Sequence, residues 1–151
     1  MPHELEVSTP DLAKAIVDQA GEAVIFAARD GTIRLWNRGA ESIFGYAATE
    51  VLGTSLDVII PERLRKAHWE AFDRAVNSGA TKYGDRVLTT RSMRKNGDKL
   101  YVDLSFGLVK ASDGSVLGAY AIGRDCTARY EAERALRARV AEFDRQPGDS
   151  R

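Results

Sequence analysis

Charge of one sign is missing from this 151-residue chain: 22 Lys and Arg stand against 22 Asp and Glu, a formal net charge of +0 at pH 7. Without a basic surplus there is no electrostatic footprint for phosphate backbones or anionic lipid, so neither nucleic acid nor membrane is expected as a partner. Cysteine occurs once, as Cys126, which rules out an internal disulfide and fits a reducing, cytoplasmic setting. No apolar run approaches the roughly 18 residues that span a bilayer, and the start MPHELEVSTP carries no basic-then-apolar signal pattern. Also absent are a GxGxxG, a P-loop, a GxSxG and any paired Cys or His at metal-ligand spacing. Histidine is scarce too, with His3 in a polar start and His68 in mid-chain.

What is present reads as one folded domain. Hydrophobic residues at 44% and charged residues at 29% match ordinary globular usage, so neither disorder nor a fibre is favoured. After a loose start over 1–8, Thr9 is expected to cap a short helix with Leu12, Ile16 and Ala20 as a narrow apolar seam. Ala23 to Ala28 (AVIFAA) reads as a buried strand, Asp30-Gly31 as a tight turn and Thr32 to Trp36 as the partner strand. Short helices interrupted by Gly39, Gly45 and Gly53 follow to Ile60. Lys82 to Met93 reads as a strand, and Asn96-Gly97 as a hairpin turn. In KLYVDLSFGLV the residues Leu100, Val102, Leu104, Phe106 and Leu108 alternate strictly, which puts five apolar side chains on one strand face. Asp103 then faces the other side, toward solvent. Asp113-Gly114 turns the chain into Val116 to Asp125, apolar on both faces and so a central strand. The result is an α+β fold: a five-stranded antiparallel sheet with helices grouped between the second and third strands.

The stretch Pro61 to Gly79 is a helix by its start and stop residues. Its apolar stripe is expected to hold Leu64, His68, Ala71, Phe72, Ala75 and Val76, so His68 points inward. An inward imidazole is either a core side chain bonded to a backbone carbonyl or an axial ligand for haem iron in an apolar cavity. The tail from Thr127 to Phe143 is a charged helix with a thin stripe of Ala132, Leu136, Val140 and Phe143, which suits either a second copy or its own domain.

Several phrases taken together resemble the PAS sensor domains: Asp30-Gly31-Thr32-Ile33 with Trp36-Asn37, Phe44-Gly45-Tyr46 with Glu50-Val51-Leu52-Gly53, Arg94-Lys95-Asn96-Gly97, and Gly123-Arg124-Asp125-Cys126-Thr127 with Arg129 and Glu133. The resemblance spans about Ala20 to Glu133. It implies strand order 2-1-5-4-3, helices cupping one face, a pocket between them, and flanking helices at both ends. With the terminal helices and the polar end read from their own residues, the expected divisions are an N-terminal flanking helix over 1–20, a PAS domain over 21–126, a signalling or dimerising helix over 127–145 and a disordered tail over 146–151.

The match is best with the haem-binding PAS domains of rhizobial oxygen-sensing kinases. By that resemblance His68 is the iron ligand of haem b, and Arg74 matches an arginine that contacts a propionate. Leu104 and Phe106 match the distal lining, with Tyr83 and Ile122 as neighbours. Leu88 stands where those sensors carry the arginine that bonds oxygen. Arg86, two residues earlier, would share its face on a strand. The ligand implied is a diatomic gas, O2, CO or NO, or else a redox change at the iron. A cysteinyl-flavin photocycle is disfavoured, because Thr54-Ser55-Leu56 follows Leu52-Gly53 where such relatives need a reactive Cys. Alternatives kept open are bound FAD or FMN, a small apolar ligand or none, with a role in dimerisation and protein contact. The chain is expected to be a sensor rather than an enzyme, with peroxidase-like chemistry at haem as the exception. A homodimer through the terminal helices is expected, and a separate signalling protein would supply the output.

Overall fold

The computed structural model describes residues 7–82, 84 and 86–145. The elements run α1 (Thr9–Gln19), β1 (Ala23–Ala28), β2 (Ile33–Trp36), α2 (Arg38–Phe44), α3 (Ala48–Val51), a 3-10 turn (Leu56–Ile59), α4 (Glu62–Ser78), β3 (Leu88–Met93), β4 (Lys99–Lys110), β5 (Val116–Asp125) and α5 (Thr127–Arg145). The expected disordered tail over 146–151 and most of the loose start lie outside the described residues.

The strands form one antiparallel sheet in the order β2-β1-β5-β4-β3, as the resemblance implied. Period-2 alternation decides its faces. Ile25 stands opposite Ala121 and Ala27 opposite Ala119, while Phe106 faces Ala121 and Leu104 faces Gly123. These residues share the inner face, which the short helices and α4 cover. Leu100, Val102 and Leu104 are buried there, together with Phe44 and Val51 from the short helices. Each such side chain contributes roughly 1.5–3 kcal/mol of hydrophobic stabilisation.

Caps explain where the helices start. Ser8, one residue before the expected Thr9, caps α1 by accepting from Asp11 N at 3.2 Å. Asn37 is nearly fully buried and does more. Its Oδ1 accepts from Ala40 N at 2.9 Å, capping α2, and from Val24 N at 2.8 Å, while its Nδ2 donates to Val17 O and Glu22 O. One amide thus ties α1, β1 and α2 together.

Two expected elements are shifted. The strand read over 82–93 begins only at Leu88, because Gly84 adopts φ +58, a left-handed conformation no strand tolerates. On α4 the buried stripe is rotated: Phe72 and Val76 are buried, Leu64 and His68 half-buried, and Ala71 exposed. Trp69 takes the flank expected of Ala71, because an indole removes far more apolar area from water than a methyl group. Its ring lies where a side chain on Gly31 would stand, so the β1–β2 turn needs glycine there.

Candidate ligand pocket

Between the inner sheet face and α4 lies a pocket of about 180 Å³. Its room comes from small residues in the sheet. Ala27, Ala119 and Ala121 line it from below, where larger strand residues would fill it. Ile25, Val102, Leu104 and Phe106 complete the floor, and Leu56, Ile59, Leu64, His68 and Phe72 the roof. The alternation in Ala119-Tyr120-Ala121 was a signal of such a hollow, since it puts alanines on the side facing the helices.

His68 is the polar feature of this roof. Its ring meets Trp69 edge-on at 4.6 Å and Phe72 tilted at 6.1 Å. Its Nδ1 is buried with no hydrogen-bond partner, so of the two inward readings the backbone-bonded core imidazole lacks its bond at this nitrogen. Burial pushes the His68 pKa below its ordinary 6.5, against the carboxylates of Asp57 and Asp73, and keeps the ring neutral near pH 7. Other polar groups nearby are satisfied. Ser92 Oγ donates to Ile59 O at 2.6 Å, and Trp69 Nε1 donates to Asp57 Oδ1 at 2.7 Å. Arg65 donates from Nε to Ile60 O and from Nη2 to Asp57 O, so the first half of α4 is tied to the 3-10 turn.

Of the residues expected at the site, the pocket brings together His68, Leu104 and Phe106. Leu88 stands opposite Leu104 on the same sheet face and is half-buried, but it is not on the pocket wall. Ile122 is a correction. It pairs with Val24 and Ser105, one residue out of phase with Ala121, and so belongs to the outer face. Arg86 is also corrected. It is exposed and precedes the start of β3, so the same-face argument from Leu88 does not apply. Arg74 is exposed on α4, away from the wall, and Tyr83 lies outside the described residues. Thr90, Ser92 and Trp69 were missed. Thr90 and Ser92 sit on the inner face of a strand whose register could not be read from its imperfect alternation.

A second polar centre lies on the outer face. Asp103, expected to face solvent, accepts from Thr89 Oγ1 at 2.6 Å, Arg129 Nη2 at 2.6 Å and Cys126 Sγ at 3.4 Å. The Thr89 bond, followed by the Arg129 contact, holds its carboxyl below the usual range despite partial burial. Burial and then Asp103 push the Cys126 thiol up to about 11, so thiolate is scarce at neutral pH and this cysteine is poorly suited to redox switching. With Tyr130 stacked on Tyr101 at 3.7 Å, the root of α5 is fixed to β4. Beyond it Leu136, Val140 and Phe143 are exposed, as are Leu12 and Ile16 of α1. The outer turns of α5 therefore do not fold back onto their own domain.

The family described as PAS fold matches residues 17–131. Oxygen sensor protein DosP of Escherichia coli is 29% identical over 116 residues, covering 75% of this chain and 14% of that protein. The chain spans less than a fifth of the curated relatives it matches. The PAS domain of a protein from Colwellia psychrerythraea superposes with a TM-score of 0.70 at 19% identity, covering 80% of this chain and 99% of that one. An RNA-binding Light-Oxygen-Voltage receptor does so with a TM-score of 0.70 at 21% identity, covering 95% and 40%. No helix among the described residues is long and apolar enough to cross a membrane.

Proposed function

The chain belongs to the PAS-fold family of sensor and signalling domains, and from that premise we propose that it binds haem b through His68 and senses a diatomic gas or the redox state of the iron. The observation that carries this reading is the buried, unpartnered imidazole nitrogen in the roof of an apolar pocket. Among the described residues no three His, Cys, Asp or Glu side chains converge as a metal site. A metal held here would need to bring further donors, as a porphyrin does. The similarity to an oxygen sensor and the resemblance of the His68 helix to haem-binding PAS domains point the same way.

The donor chemistry fits the group. A neutral imidazole is the form that ligates iron, and burial keeps it neutral. The room fits less well: about 180 Å³ is below the roughly 300 Å³ at which pockets for drug-sized ligands begin, and a porphyrin is larger than most of those. Loading therefore requires α4 to stand further from the sheet. Phe72 and Val76, packed on Ala27 and Val116, are the contacts that would give, while Arg65 and Trp69 hold the first half of the helix.

The group would supply an iron with a vacant coordination position, which takes O2, CO or NO or changes redox state. This chain's residues would do the rest. His68 would hold the metal, and Leu104 and Phe106 would exclude water. Arg74, exposed on α4, would meet a propionate at the surface. Arg86 is off the wall, and Arg91, the charged residue the sheet does bring to it, holds its guanidinium over the Tyr101 ring, so a bound oxygen would lack a charged donor, which favours CO or NO. Flavin, or a smaller apolar ligand, is the alternative for the same hollow, with dimerisation and protein contact as the role. The signal would leave through β5 into α5, whose exposed Leu136, Val140 and Phe143 would pair with a second copy. A cytoplasmic setting and a separate output protein belong to the same proposal.

Adding haem to the purified chain should produce a Soret band that saturates at one equivalent. In His68→Ala the band should weaken and shift, and added imidazole should restore it. A spectrum identical in both proteins would defeat the assignment.

A further inference from the structure

The gap between the pocket's size and a porphyrin's makes its own statement about ligands. Roughly 150 Å³ of dry cavity lined by Leu, Ile and Phe accommodates benzene, and the pocket here measures about 180 Å³. It is built from the same kinds of side chain, among them Ile25, Leu56, Ile59, Phe72, Val102 and Leu104. It differs in carrying the Thr90 and Ser92 hydroxyls, each already donating to a backbone carbonyl, and the buried His68 Nδ1, which has no partner. Such an atom costs about 1–3 kcal/mol when left unsatisfied. Water is a poor remedy, because a buried water needs two to four polar partners, and here Ser92 Oγ and Thr90 Oγ1 donate to backbone carbonyls and are left as acceptors only on a wall that is mostly apolar.

We propose that the haem-free chain binds a small uncharged phenol in this pocket, ring against the aliphatic walls and hydroxyl hydrogen-bonded to His68 Nδ1. A hydroxyl both donates and accepts, so it satisfies either neutral tautomer of the imidazole. A carboxylate in the same place would face an imidazole that burial keeps neutral, with the Arg91 guanidinium turned to Tyr101, and is disfavoured for want of a countercharge. This occupant needs no opening of α4, and by filling the hollow it competes with any larger group that enters there. The inference deepens the sensor reading by naming the ligand class of the closed form, and it shares the pocket with that reading but not the iron.

Calorimetric titration of the haem-free full chain with phenol, toluene and benzoate tests it. Phenol should bind about tenfold more tightly than toluene, the worth of one buried hydrogen bond, and benzoate should give no heat of binding. In His68→Phe the preference for phenol over toluene should vanish. Should that variant fail to fold, Ala121→Leu, which fills the pocket from the floor, should abolish binding of both aromatics. Methyl NMR of the unaltered chain should show phenol shifting Ile59 and Leu104 but not Leu136. Equal affinity for phenol and toluene, a phenol preference surviving in His68→Phe, or no binding by either aromatic would overturn the proposal. Phenol binding without a Soret band would defeat the haem reading alone, and haem binding without phenol binding would defeat this one alone.

Discussion

His68 and Asn37 show how much a single side chain decides in this chain, and how differently the two could be read. The inward direction of His68 follows from helical spacing, and the pocket wall contains it. Its missing hydrogen bond is invisible in sequence, because it depends on which backbone groups β1, β4 and β5 bring near. The consequence for stability has a definite sign. The folded-state pKa is below 6.5, so well above pH 6.5 neither state is protonated and the residue contributes no pH dependence. As pH falls from 6.5 toward the lowered value, the unfolded chain takes up the proton first and stability drops. Urea unfolding between pH 8 and 5 should therefore show the gap between the native chain and His68→Phe moving in the variant's favour below pH 6.5. Asn37 needs no titration to be tested. Removing its side chain strands the part-buried Val24 N–H and removes the α2 cap, so Asn37→Ala should cost about 2–4 kcal/mol in the same unfolding measurement.

At the scale of elements, the parts with strong local signals were legible. The strand pairs come from Asp30-Gly31, Asn96-Gly97 and Asp113-Gly114, and the five-residue alternation in β4 places its inner face correctly. Where two local rules compete, the sequence reading slips. Spacing alone puts Ala71 on the α4 stripe, whereas the half-buried Trp69, bonded to Asp57, takes that flank and leaves Ala71 exposed. Alternation alone sends Asp103 to solvent, whereas α5 brings Arg129, and the residue just before that helix, Cys126, across to meet it. The first competitor is a neighbour on the same helix whose larger ring wins the flank; the second is distant in sequence and so out of reach of a local rule. The same contacts fix the root of α5 and leave its outer turns bare. If those turns pair, sedimentation of the full chain should give a dimer, and Leu136→Asp with Val140→Asp should give a monomer whose circular dichroism retains the sheet. A monomeric unaltered chain would remove the pairing.

For the molecule as a whole, family and topology rest on the match over 17–131 and on the strand order, and both agree with the turn dipeptides and phrases quoted at the start. The ligand does not follow from the fold, since one fold houses many functions. It depends on the donor and the room that this chain provides. The central claim, that His68 holds iron in the pocket, is tested most directly by resonance Raman spectroscopy of the ferrous haem-loaded chain grown with nitrogen-15 histidine. An iron–histidine stretching band that shifts with the label, persists in His3→Ala and disappears in His68→Ala is the predicted result. A band unaffected by His68→Ala, or none in the unaltered protein, would contradict it.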